Sequence, residues 1–165
     1  MKIVRSLTTL LGVLIVVYGC SESAGRKDTV DGMLTAAEYR EALEQEADAF
    51  TWPETYTPNI DAIAKRTSSP DALIADDGAV TNMLELFNMC IWYVTWNDAR
   101  SSGDSTTQQQ ALSIMRSTIP DYEEEEHQRA YFEGIATDAE LGDPSGVQAV
   151  ITNTCAPLDW IDGRV

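Results

Sequence analysis

The chain has 165 residues, with 11 Lys and Arg against 27 Asp and Glu, for a formal charge of −16 at neutral pH. A surface that acidic repels nucleic acid and anionic lipid headgroups, which removes DNA, RNA and a polybasic membrane patch from the candidate partners. A chain of this length buries about two-thirds of its unfolded surface as one domain, so its core needs neither a metal nor a dense disulfide framework.

In chain order, Lys2 and Arg5 precede an apolar stretch from Leu7 to Tyr18 that contains no acid, which is the layout of a secretory signal. The uncharged part, Ser6 to Gly19, is interrupted by Thr8, Thr9 and Gly12 and is shorter than the roughly 20 apolar residues of a bilayer-spanning helix. Export is the expectation, and these features alone leave open an ordinary signal peptide in which the next cysteine has no role. The segment Val17-Tyr18-Gly19-Cys20 resembles the lipobox of bacterial lipoproteins: an aliphatic residue three before the cysteine, a small one immediately before it, then the lipidated cysteine. The resemblance implies a signal peptide over residues 1–19, cleavage before Cys20, and a diacylglycerol on its thiol. Two acyl chains, at about 0.8 kcal/mol per buried methylene, anchor a protein stably. The location implied is the cell envelope, on the extracytoplasmic side of a membrane. Ser21 in place of aspartate after the cysteine implies outer-membrane delivery where a second membrane exists. Loss of residues 1–19 removes Lys2 and Arg5 and no acid, so the charge becomes −18.

From Ser21 to Asp31 the chain is mostly Ser, Gly and charge, with Val30 its one large apolar residue, a composition that reads as a flexible tether which, with Cys20, spans residues 20–31. The acidic helical domain is expected over residues 32–165. Its first helix opens at Thr35, which with Glu38 forms the S/T-x-x-E capping box, and carries Tyr39, Ala42, Leu43, Ala47 and Phe50 at helical spacing. Pro53 and Pro58 then impose an ordered connection, with Trp52 and Tyr56 lying over the bundle. A short helix from about Asn59 to Arg66 follows, and Ser69-Pro70 opens another.

The segment "VTNMLELFNMCIWYVTW" is the central helix, with Leu84, Phe87, Cys90 or Ile91 and Val94 on one face and Trp92 and Trp96 on a neighbouring one. "DARSSGDSTT" ends it and caps the next helix, whose apolar positions are Ala111, Leu112, Ile114, Met115 and Ile119. After Pro120 a further helix is expected with Asp121, Glu123 and Glu124 in its first turn, where negative charge suits the helix dipole. The last helix runs from about Pro144 to Asn153 and carries Val147, Val150 and Ile151. No strand-like alternation persists beyond a few residues, and the fold class is all-α: a small irregular bundle of five or six helices.

Once Cys20 carries lipid, Cys90 and Cys155 remain. An even remainder in an oxidising compartment reads as one disulfide, Cys90 to Cys155; two buried thiols are the alternative.

Features that carry chemistry elsewhere fall short here. Asp31, Gly32, Leu34 and Glu38 occupy the fifth, sixth, eighth and twelfth places of an EF-hand loop, but the first and third are Lys27 and Thr29, and the capping box accounts for Glu38. Glu124 and His127 have the Glu-x-x-His spacing of di-iron bundles, which need two such motifs. His127 is the only histidine, so a Ser-His-Asp or Cys-His machine lacks parts, and Cys90 in an apolar helix is inert. Neither nucleotide-binding glycine motif is present, and no cofactor is implied. Trp52, Trp92, Trp96 and Trp160 could line a sugar site, although tryptophans at helical spacing belong more often to a core. The sequence therefore leads to a non-catalytic binding or interaction module of the envelope, with an unspecified protein or small-molecule partner. Two alternatives stay open: an acidic calcium-binding protein using Asp76-Asp77 or Glu123 to Glu126, and an envelope hydrolase of unfamiliar type.

Overall fold

The computed structural model describes residues 32–67, 73–75 and 78–156. Cys20, the tether, Ser69 and Pro70 with the helix start expected there, Asp76, Asp77 and Trp160 lie outside these described residues.

The elements in chain order are β1 (Met33–Thr35), α1 (Ala36–Ala47), α2 (Ile60–Thr67), β2 (Leu73–Ala75), α3 (Ala79–Ser102), α4 (Ser105–Ser117), a 3-10 turn (Ile119–Tyr122), α5 (Glu126–Glu140), α6 (Ser145–Val150) and a π-helical turn (Ile151–Cys155). Among the described residues the fold is a small, irregular all-α bundle of six α-helices, to which a two-stranded antiparallel sheet is added. In that sheet Met33, Leu34 and Thr35 pair with Ala75, Ile74 and Leu73. Both strands depart from the sequence reading: each is three residues long, too short to show alternation, and each is stabilised by a partner far away in the chain.

Local chemistry sets the helix ends. At α1 the capping box is complete, with Thr35 Oγ1 accepting from Glu38 N–H and the Glu38 carboxylate accepting from Thr35 N–H. Helix α4 is capped by Asp104, whose carboxylate accepts from the N–H groups of Thr106 and Thr107. Gly103 ends α3 in the left-handed region at φ 75°, a conformation that costs glycine nothing. The helix expected to carry Asp121, Glu123 and Glu124 in its first turn instead begins at Glu126. Pro120 sits within a separate 3-10 turn, and Glu123 follows it in extended conformation, so these acids lie in the lead-in to α5. Phe50 likewise falls beyond the end of α1.

Helix α3 is the axis of the molecule. From Phe87 to Val94 every residue is buried, which marks a helix enclosed on all sides. Its first half packs Val80, Leu84 and Phe87 against Tyr39, Leu43 and Ala47 of α1 and Ile63 and Ala64 of α2. Its second half, with Met89, Cys90, Trp92, Tyr93 and Trp96, meets Ala111 and Met115 of α4, Ile119 of the 3-10 turn, Ile135 and Ala136 of α5, and Val147 and Val150 of α6. Helices α5 and α6 approach so closely that a Cβ on Gly146 would come 3.0 Å from Ile135 Cγ1. The π-helical turn then delivers Cys155 to Cys90, and the two are joined in a disulfide with Cα atoms 5.4 Å apart, within the range such a bridge requires.

Candidate functional site

The three tryptophans among the described residues separate by environment. Trp92 and Trp96 are fully buried in the core, whereas Trp52 is only half-buried and stands in the connection between α1 and α2. Its indole Nε1–H donates to Ala47 O at 2.9 Å, at the carbonyl end of α1, which fixes the ring plane. Trp52 is one member of a row of four aromatic rings. Tyr122 and Phe50 have centroids 6.1 Å apart, Phe50 and Trp52 6.0 Å, and Trp52 and Tyr56 5.7 Å, all tilted, which are favourable distances for aromatic pairs.

Beneath this row lies a buried polar hub. Asn88, fully buried on α3, donates through Nδ2 to Thr51 O at 2.8 Å and accepts at Oδ1 from the Tyr122 hydroxyl at 2.8 Å. Trp92 Nε1–H donates to the same Thr51 carbonyl at 2.9 Å. One asparagine thus ties α3, the connection after α1 and the 3-10 turn into a single arrangement. Buried polar groups so satisfied hold one conformation, because an unmade bond there is costly.

Two recesses flank the row. On one side a cleft of about 440 Å³ is bounded by Glu44, Ala47, Asp48, Phe50, Trp52, Tyr56, Thr57, Pro58 and Ile60. On the other, a cavity of about 240 Å³ lies among Asn82, Glu85, Leu86, Met89, Ile119, Tyr122 and Glu123. In the second, burial and, after it, the facing Glu123 push the Glu85 carboxyl above its ordinary value. Tyr122 is pushed up to about 12 by burial and by Glu85, so its hydroxyl remains a neutral donor to Asn88.

Because the folded state raises the affinity of Glu85 for a proton, this residue opposes folding once the pH exceeds the unfolded carboxylate value, and the penalty is complete above the folded value. Glu85→Gln is therefore expected to melt higher than the wild-type chain at neutral pH, with the difference shrinking as the pH falls towards about 4. Thermal melts across that range check it; a variant less stable at neutral pH would show that Glu85 makes a favourable interaction instead.

The remaining candidates from the sequence are dispersed. Glu38 is committed to the α1 cap, with one carboxylate oxygen accepting from both the backbone N–H and the hydroxyl of Thr35. His127 stands exposed at the start of α5, its Nδ1 3.2 Å from a Glu125 carboxylate oxygen, with Glu126 and Ala130 beside it. Among the described residues no three His, Cys, Asp or Glu side chains converge on one point. Sequence reasoning passed over Asn88, Glu85 and Asp48 as sites; an asparagine inside the stretch from Phe87 to Val94, otherwise free of amide and charged side chains, was the available signal. No family model, curated protein or solved structure matches the chain.

Proposed function

We propose that this protein is an exported, lipid-anchored binding module of the cell envelope, without catalytic activity of its own, and that the aromatic row with its cleft is its recognition surface. The observation that supports export is the Cys90–Cys155 bridge, because such bonds persist in oxidising compartments and are reduced in the cytosol. It complements the Val17-Tyr18-Gly19-Cys20 boundary and an acidic chain that would have no electrostatic hold on anionic headgroups. Among the described residues no helix is long and apolar enough to cross a membrane, so in this reading the acyl chains on Cys20 supply the attachment.

Cys20→Ala is expected to shift the protein from the membrane fraction to the soluble fraction or to leave it unprocessed. Mass spectrometry of the native N-terminus is the direct measurement, and an N-terminus other than lipidated Cys20 would end the lipoprotein reading.

A second reading, an acidic cation-binding protein, draws on one observation: Glu85 and Glu123 face each other across the smaller cavity, and their mutual repulsion contributes to the raised Glu85 carboxyl. Calorimetric titration with millimolar calcium tests it, and the absence of both heat and a melting shift would dispose of it.

A further inference from the structure

We propose that the cleft between the end of α1 and the start of α2 binds a small organic cation, its alkylated ammonium group seated against the Phe50 and Trp52 rings and the Asp48 carboxylate. The inference rests on the binding-module reading and names the ligand class for that surface.

Charge is the first argument. Among the described residues, Glu44 and Asp48 are the only charged ones that line the cleft. Glu44 shares the Arg40 guanidinium with Asp61, while Asp48 enters no ion pair among the described residues. Asp48 is also placed against the local rules of helix stability. It is the C-cap residue of α1, whose last turn holds no basic side chain, so its carboxylate stands at the end of the helix where the dipole is already negative. An acid that the helix itself does not favour, at the mouth of a cleft, is explained by a cationic occupant that the carboxylate and the terminal carbonyls attract together. Such departures from local consistency concentrate at functional sites.

The second argument is the wall. Phe50 and Trp52 are half-buried, and Pro58 and Ile60 share the lining of the cleft with them. A cation above an aromatic face, within about 6 Å of the ring centre, is attracted by the ring quadrupole, most strongly to indole. The Nε1–H of Trp52 is already given to Ala47 O, so the indole meets the cleft with no free polar atom and acts through its ring alone. A neutral sugar fits this lining less well. Glu44 and Asp48 can accept from sugar hydroxyls, but among the described residues the lining's side-chain donors are limited to the hydroxyls of Thr57 and the buried Tyr56, since the Trp52 N–H is already given.

The test is calorimetric titration of the full-length protein, in a non-ionic detergent at low salt, with choline and with dimethylbutanol, in which carbon replaces the charged nitrogen. Choline should bind saturably, at least about tenfold more tightly than its neutral counterpart, and more weakly as salt is added. Asp48→Asn should weaken choline by about tenfold while its melting temperature stays the same or rises slightly, because the variant relieves the unfavourable charge at the end of α1. That pairing separates a lost ligand contact from a damaged fold. Trp52→Leu should also weaken binding, and if it does not fold, the choline pair and Asp48→Asn decide the matter. Equal binding of the two ligands, no saturable choline binding, or maltose binding that is indifferent to Asp48→Asn would each overturn the proposal. Membrane release of Cys20→Ala is read in separate fractions, so failure of the anchoring and failure of the cation site are distinguishable.

Discussion

Reduced protein, or the Cys90→Ser/Cys155→Ser double variant, is expected to melt about 15 °C below the oxidised chain. The bridge joins residues 65 apart in sequence, and closing a loop of that length removes enough freedom from the unfolded chain to contribute about 4 kcal/mol in the chain-entropy account. That is a large part of the stability of a small domain. Both sulfurs belong to residues at most 1 % exposed, so a reductant reaches them only when α3 and the π-helical turn separate. Reduction should accordingly be slow under native conditions and fast in denaturant. Thermal melts with and without reductant give the magnitude, and thiol alkylation of denatured, unreduced protein gives the pairing. Full labelling of both cysteines, or coincident melts, would refute the bridge.

Asn88→Ala should destabilise the fold by about 2–4 kcal/mol, more than a surface hydrogen bond is worth, because the loss reaches three segments at once. The Tyr122 hydroxyl loses its acceptor, the Thr51 carbonyl loses one of two donors, and the connection bearing Phe50 and Trp52 is left with the Trp92 indole as its hydrogen-bonded tie to α3. Asn88→Asp sharpens the test. The carboxylate still accepts from Tyr122 but turns an oxygen towards the Thr51 carbonyl in a site without solvent. Burial raises the folded pKa of such a group, so the variant should be least stable at neutral pH and recover as the pH falls towards about 4. Denaturant melts at the two pH values measure this. Equal stability of Asn88→Asp and wild type at both would mean that Asn88 does not hold the three segments together.

Much of the architecture was legible because its determinants are local. The Thr35–Glu38 box, the long apolar run of α3 and the Asp104 cap each lie within a few residues of what they determine. The disulfide was legible by elimination, once Cys20 was set aside. What escaped depends on distant neighbours. Met33–Thr35 and Leu73–Ala75 are extended because they meet each other, and neither triplet carries enough pattern to announce a strand. Asp121, Glu123 and Glu124 suited the first turn of a helix by charge, yet the 3-10 turn at Pro120 displaced that start to Glu126. The candidate site shows the same division. The sequence separates Trp52, in the proline-bounded connection, from Trp92 and Trp96 on the central helix, but the cleft beside Trp52 is formed by residues of α1, the connection and α2 together and has no local signal. Glu85 and Glu123 come from separate elements, so nothing in either segment foretold their meeting.

The enclosure of α3 has a consequence for how the molecule comes apart. The same helix is the floor of both apolar clusters, one built with α1 and α2 and the other with α4, α5 and α6. Neither cluster can melt without stripping cover from a helix that the other also needs, so the two behave as one cooperative unit. Amide hydrogens from Phe87 to Val94 should then exchange only through global opening. A disturbance at the cleft and a break at the far bridge would be felt as a change in one common unfolding equilibrium, with no partly folded half left standing.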